Sequence, residues 1–262
     1  MIVQWRRQDH PLNTTLIRLT QDMTRKNELG QPIGFPIDGW TTPPRPDRQT
    51  IQGERCSLEP LNSDSHASEL YEANSVDSEG RNWTYLAYGP FGTEDEYRRW
   101  IDASSASADP LFFAVIDNET GSAVGVASYL AIHPSSGSIE VGHINFSPRL
   151  QRTPAATEAM YLMMEAAFAL GYRRYEWRCD ARNERSRMAA QRLGFSFEGI
   201  FRQATVYKGR NRDTAWYSVV DLEWPALQEA FKQWLDPANF SADGKQTLRL
   251  SELTRPILKS IG

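Results

Sequence analysis

Cysteine and histidine are scarce in this chain, and the scarcity closes off several chemistries at once. The 262 residues include two cysteines, Cys56 and Cys179, too few and too far apart for a disulfide framework or a thiolate metal cluster. Four scattered histidines show no paired ligand spacing, so no metal is expected. An excess of positive charge is missing too. The 29 basic and 33 acidic residues give a formal net charge of −4, which argues against a general basic field, and no nucleic-acid partner is expected. No run approaches the ~20 apolar residues of a membrane-spanning helix. The opening "MIVQWRRQDH" lacks the apolar centre of a signal sequence. The expected setting is cytoplasmic and reducing, with no membrane partner.

What remains is ordinary soluble composition, 40% hydrophobic and 24% charged, in a chain long enough to bury a full core. Residues 1–53 stand apart. "NELGQPIGFPIDGWTTPPRPDRQT" (Asn27 to Thr50) is dense in proline, glycine and polar residues without a sustained period, and reads as an irregular arm whose Phe35 and Trp40 suggest docking. A main domain is expected over 54–224, and a C-terminal helix with a polar tail over 225–262.

Within the main domain the pattern alternates. "ERCSLEPL" reads as a strand, followed by a helix from about Asp64 to Asn74. "EDEYRRWIDASS" reads as a second helix, with Tyr97 and Ile101 four apart on one face. "LFFAVIDNETGSAVGVASYLAI" and "GSIEVGHINFSP" are three strands joined by the turns "DNETG" and "HPSSG". Pro154 to Leu170 lacks strand alternation and is apolar nearly all round, the mark of a buried helix, with Gly171 as its stop. "YRRYEWRC" is a strand and "ERSRMAAQRLG" a helix. Two strands, "FSFEGIFRQATVYKG" and "RDTAWYSVVDLEW", close the domain, and "PALQEAFKQWL" is helical. This order gives an α+β fold, a mixed central sheet of about six to seven strands with helices on both faces.

Two strand-to-helix junctions could carry chemistry. In "SPRLQRTPAATEAM", Thr153 fits an N-cap and Pro154 the first helical position. The junction reads either as a well-started core helix or as an anion site. In the second case the amides of Ala155, Ala156 and Thr157 take a ligand phosphate and Arg149 or Arg152 adds charge. In "CDARNERSRMAAQRLGF", Asn183 follows a strand directly and Ser186 lies three residues on, where capping explains them equally well.

Together, "GHINFSPRLQRTPAATEAM", "RYEWRCDARNERSRMAAQRLGFSFEGIFR" and "YKGRNRDTAWYSVVDLEW" resemble the GNAT superfamily of acyl-CoA N-acyltransferases. Within it they resemble the RimJ/RimL-type ribosomal-protein N-terminal acetyltransferases. The resemblance spans about Glu54 to Trp224. "TEA", "N-x-x-S…LGF" and the closing "G-x-x-x-D…S-x-x-x-x-E-W" agree in order and spacing, a pattern specific jointly rather than singly. By that resemblance the pyrophosphate loop falls on Gln151, Arg152, Thr153, Pro154, Ala155 and Ala156, with proline in place of a glycine and so one amide fewer. Phe146, at the end of the preceding strand, joins these and Thr157 as a cofactor contact. The resemblance places Asn183 along the CoA arm and Ser186 near the thioester sulfur. Many relatives carry a tyrosine acid at the position of Ala190; that role is vacant here, with Ser186 as the replacement.

The implied reaction is acyl transfer from acetyl-CoA to a primary amine, without a metal. It needs positioning, a backbone donor for the oxyanion and a route for the amine's proton. On the strand "SIEVGHINF" the titratable side chains are Glu140 and His143. Glu140 matches a carboxylate that several relatives use as base. His143, with an unperturbed pKa near ~6.5, suits proton removal around neutral pH. Strict alternation puts the two on opposite faces unless a bulge intervenes. Tyr85, Tyr88 and Phe91 fall where the family forms its acceptor pocket, and core packing explains them as readily. Tyr207, Arg210 and Arg212 near the last hairpin are weaker candidates. The acceptor is a protein N-terminus or a small amine. An inactive CoA-binding module and a transferase of a larger acyl group are the alternatives, a structural role on the same fold is a more distant one, and homodimerisation is left open.

Overall fold

The structure, a computed structural model, describes residues 25–262. The opening decapeptide read above, and the front of the arm, lie outside the described residues. The described chain falls into two units, one up to Thr41 and one from Thr42 to Gly262. In the first, β1 (Arg25–Lys26) pairs antiparallel with β2 (Pro32–Ile33) around a turn in which the Asn27 side chain accepts from the Leu29 and Gln31 amides. Phe35 remains 42% exposed.

In the second unit β3 (Ile51–Gln52), β4 (Cys56–Pro60), β5 (Leu111–Asp117), β6 (Ser122–His133), β7 (Ser138–Phe146), β8 (Arg174–Asp180), β9 (Ser196–Tyr207) and β10 (Arg210–Val220) form one sheet. Their order is β3-β4-β5-β6-β7-β8-β10-β9. Every neighbouring pair is antiparallel except β7–β8, which a helical crossover joins. The sheet thus has eight strands rather than six or seven. The addition is β3, two residues in the stretch read as arm, too short to show a period. The chain just before it is held on this unit: Tyr172 donates to the Pro44 carbonyl, and Arg45 pairs with Asp109.

Helices cover both faces. α1 (Ser63–Ser75) starts on Asn62, whose side chain accepts from the Asp64 and Ser65 amides. α2 (Glu94–Ser105) carries three acidic residues in its first turn and buries Tyr97 and Ile101, the pair its spacing predicts. These two pack with Leu61, Leu70, Trp83 and Phe112 on one face. On the other face α3 (Pro154–Ala169) is buried on most sides, among them Met163 and Met164, and lies against Tyr175 and Trp177 with α4 (Glu184–Arg192) and α5 (Trp224–Leu235). Truncating either methionine to alanine would cost about 2–5 kcal/mol. The stretch read as a polar tail contains a short helix, α6 (Leu250–Thr254). Leu250 is buried there, and Thr254 donates to the Arg192 carbonyl at the end of α4.

One buried carboxylate ties α3 to the sheet. Glu158 accepts from the amides of Glu54, Arg55 and Cys56, at 3.3, 2.6 and 2.8 Å, ahead of and at the start of β4. Gly53 makes that approach feasible, since a Cβ there would stand 2.8 Å from the Glu158 carboxylate.

Candidate active site

The site is organised by an irregularity in β7. Against β6, Gly142 pairs with Ser128 and Asn145 with Val126, so His143 and Ile144 together face the single residue Ala127. This is a β-bulge, and His143 sits at φ 51° within it. Gly142 beside it leaves room for the Leu130 side chain, whose end a Cβ would approach to 2.8 Å. The extra residue re-phases the strand: Glu140 and His143 now face the same side, the side of α1 and α2. His143 packs against Tyr88 and Phe112 of that core. Glu140 meets Arg178 of β8, at 3.2 Å.

The bulge coincides with a split in the sheet. β7 and β8 pair in parallel only from Ser138–Arg174 to Val141–Trp177. Past that point the strands part, and the chains continue into the N-termini of α3 and α4. Two helix starts therefore flank one opening, an arrangement that favours anions.

At α3, Arg152 adopts φ 64° and Thr153 is the N-cap. The Thr153 hydroxyl accepts from the Ala156 amide and donates to the Leu150 carbonyl. Pro154 has no amide and Thr157 is inside the helical ladder, so Ala155 keeps the open amide of the first turn. Thr157 is buried, its hydroxyl taking a hydrogen bond from Arg192. Gln151 donates to the Phe146 carbonyl at 2.7 Å and to Asn82, fastening the loop to the end of β7. Arg149 is paired with Glu72. Arg152 is exposed and makes no ion pair among the described residues. At the end of β7 the Asn145 side chain and the Ser147 hydroxyl are buried without partners. An open helix-start amide, an uncommitted arginine and parted strands are a donor set that suits a phosphate-bearing cofactor.

At α4, Asn183 accepts from the Ser186 amide at 3.2 Å. The Ser186 hydroxyl accepts from Trp177 Nε1 at 3.0 Å, on the α3 side of the sheet. It also touches the Cys179 thiol, which burial pushes up and Ser186 partly restrains. Ala190 is buried in α4. The structure thus brings Glu140 and His143 together and sets Ser186 beneath the other face.

Their surroundings separate the two side chains. Burial pushes Glu140 up to about 7, Arg178 holds it back, and neighbouring Glu176 pushes it further. Burial lowers His143 to about 4, and the charge of Arg212 adds to that. The imidazole is therefore neutral at physiological pH, with Nδ1 3.2 Å from the Tyr88 hydroxyl. Tyr88 stacks on Trp100 at 4.4 Å, and its phenol is raised by burial. Phe91 is packed among Trp83, Tyr97 and Trp100. Tyr85 reaches across to the Arg182 carbonyl.

Over this face folds the β9–β10 hairpin. Lys208 donates to the Trp83 carbonyl at 2.8 Å and Arg210 to the Thr84 carbonyl at 2.9 Å, fastening the hairpin tip to the segment before Tyr85. Arg178 was missed in the sequence. Its signal was the polar alternation of Arg174, Glu176 and Arg178 in a strand whose other residues are buried. Among the described residues no group of three or more metal-ligating side chains forms, and no helix is long and apolar enough to cross a membrane.

An acetyltransferase (GNAT) domain model matches residues 55–196. No curated protein matches the chain. A GCN5-related N-acetyltransferase from Brucella melitensis is 49% identical, with TM-score 0.82 over 84% of this chain and 100% of that one. A probable acetyltransferase of the GNAT family from Chromobacterium violaceum is 42% identical, with TM-score 0.70 over 75% and 98% of the two chains. RimL, the ribosomal L7/L12 alpha-N-protein acetyltransferase, shares the fold at 18% identity, with TM-score 0.56 over 66% and 94%.

Proposed function

The chain belongs to the GNAT family of acyl-CoA-dependent acetyltransferases, and on that premise we propose that it acetylates a small primary amine, with Glu140 as the general base. Acetyl-CoA supplies the thioester carbonyl that the amine attacks. The observation that carries the reading is the re-phased strand: the bulge turns Glu140 and His143 onto one face of the sheet, beside the split. Glu140, poised at about 7, takes the proton from the amine at working pH. His143 stays neutral and orients through Tyr88. The bulged segment of β7, released from the β6 ladder, offers a backbone donor to the developing oxyanion.

The Ala155 amide, Arg152 and the Gln151-fastened loop hold the pyrophosphate, with Phe146, Thr153 and Ala156 shaping that loop and Thr157 bracing the helix behind it. Asn183 and Ser186, at the start of α4, would lie along the CoA arm, and the Ser186 hydroxyl would be the candidate donor of a proton to the leaving thiolate. Tyr85 and Tyr88 line the acceptor side, while Phe91 backs them. The hairpin fastened over the cleft supports a small acceptor over a protein N-terminus. The setting we infer is the cytoplasm.

Calorimetric titration with acetyl-CoA, dephospho-CoA and pantetheine, followed by thiol release on an amine panel, tests this. Saturable binding that depends on the phosphates, with turnover on small amines, is expected. Binding without turnover on any amine would leave an inactive CoA-binding module instead, and turnover only on protein N-termini would reverse the choice of acceptor.

A further inference from the structure

Arg212 has the character of a cation awaiting an anion. It lies on β10, whose alternation puts it on the side of Thr214 and Trp216. Thr214 pairs with Asp180 and Trp216 with Arg178, so this is the side of the sheet that carries Glu140. The charge of Arg212 is felt by both Glu140 and His143. Its Nε is buried with no hydrogen-bond partner, and among the described residues it enters no ion pair.

The neighbouring carboxylates are all committed elsewhere. Glu140 and Glu176 are held by Arg178. Asp180 accepts from the Arg182 amide and the Tyr207 hydroxyl. Asp213 accepts from the Gln203 amide and Asn211. The nearest aromatic ring, Tyr207, lies 5.9 Å from the guanidinium. Further along the same face Trp216 Nε1 is also a buried donor without an acceptor. A partly buried guanidinium with an unused donor is costly unless a ligand completes it. The hairpin tip above it is fastened by Lys208 and Arg210, each donating one hydrogen bond to a main-chain carbonyl.

We propose that Arg212 selects the acceptor by pairing with an anionic group carried on the amine itself, so that the substrate is a small amino acid-like molecule with its amine at Glu140. This rests on the acetyl-transfer reading above. An uncharged amine would leave the guanidinium unpaired, whereas a carboxylate or phosphate would satisfy it and fix which nitrogen faces the thioester. Arginine suits this role because its planar fork takes a carboxylate through two parallel bonds.

The test uses matched pairs of acceptors: phenylalanine and phenethylamine, tryptophan and tryptamine, phosphoethanolamine and ethanolamine. Thiol release from acetyl-CoA is measured with each, alongside calorimetric binding of each amine to the protein without acetyl-CoA. The anionic member of at least one pair is expected to have the higher kcat/KM, by about 10- to 100-fold, the range of one charge-assisted pair. Which pair it is separates a carboxylate from a phosphate. Arg212→Met is expected to collapse that ratio through KM, and Arg212→Lys to restore part of it. Acetyl-CoA binding by calorimetry reports whether each variant is folded. Equal use of both members of every pair, or an anionic preference that survives Arg212→Met in a variant that still binds acetyl-CoA, overturns the proposal. Failure of every amine would sink the acetyl-transfer reading instead.

Discussion

Arg178 Nε stands 3.2 Å from the Glu140 carboxylate, and its guanidinium lies 3.8 Å over the ring of Trp216. The pair ends a ladder of side chains that runs across β7, β8, β10 and β9. Arg178 also binds Glu176, Glu176 binds Arg174, and Arg174 binds Glu198, which accepts from Ser218. Three carboxylates share two guanidiniums in this ladder, and the like charge of Glu176 favours a proton on Glu140. Desolvation, the largest influence on Glu140, favours the same proton.

The activity should therefore rise with pH through about 7, as Glu140 ionises. The measurement is kcat/KM against pH with a weakly basic amine, so that the amine's own titration stays out of the window. Glu140→Gln should remove this limb and cost on the order of 10²–10⁴ in rate. Arg178→Met should move the limb to higher pH, since the cation that favours the ionised form is gone. His143→Gln should leave it in place, because burial already holds His143 neutral from about 4 upward. A limb that vanished with His143 and survived Glu140→Gln would exchange their roles.

Stability should show the same proton with the opposite sign. Glu140 has a folded pKa of about 7 against 4.5 in an open chain, so its contribution is fully present below 4.5 and lost as pH rises through 7. Glu140→Gln should gain on the parent between pH 5 and pH 8, by up to about 3 kcal/mol. Urea denaturation at the two pH values reads this. A difference that shrinks at the higher pH would mean that Glu140 is ionised and well paired in the native state. Removing His143, whose folded pKa is lowered, should instead help at acid pH, between 6.5 and about 4.

Much of this architecture was legible because its elements carry strong periods and stops. Tyr97 and Ile101 marked the buried face of α2, and the all-round apolar Pro154–Ala169 marked a helix with no solvent face. The site was legible in its residue types and not in its phase. Strict alternation separates Glu140 from His143, and the bulge at His143–Ile144 reunites them, a shift of register that shows only once β7 is paired with β6. Arg178 and Arg212 stayed obscure because an arginine on a strand looks solvated until the neighbouring strands are placed. α6 was hidden by its five residues.

Glu158 should prove a structural keystone. It takes three backbone amides and lies near Arg55, all in a buried corner between α3 and β4. Glu158→Ala would leave those amides unsatisfied at about 1–3 kcal/mol each before relaxation. A fall in Tm of roughly 10 °C is the expected order for a domain of this size. Cys56, which burial and the nearby carboxylate raise, should stay unreactive toward thiol reagents in the folded parent and become reactive in the variant. An unchanged Tm would show that water replaces the carboxylate.

The proline in the anion loop gives the sharpest test of how the cofactor is held. With Pro154 lacking an amide and the Ala156 amide committed to the Thr153 hydroxyl, the first turn of α3 binds with one donor, Ala155, backed by Arg152. Pro154→Gly adds an amide while loosening the helix start by about 0.4–1 kcal/mol through the unfolded chain. Acetyl-CoA affinity should stay equal or rise, by at most about tenfold, the worth of one added hydrogen bond. Thr153→Ala frees the Ala156 amide by another route and sacrifices a cap worth about 0.5–2 kcal/mol. If donors limit binding, both variants bind at least as tightly as the parent despite lower Tm values. If affinity instead drops severely in Pro154→Gly while Thr153→Ala keeps it, the fixed φ of the proline shapes the loop, and Arg152, held at φ 64° two residues earlier, owes its place to it.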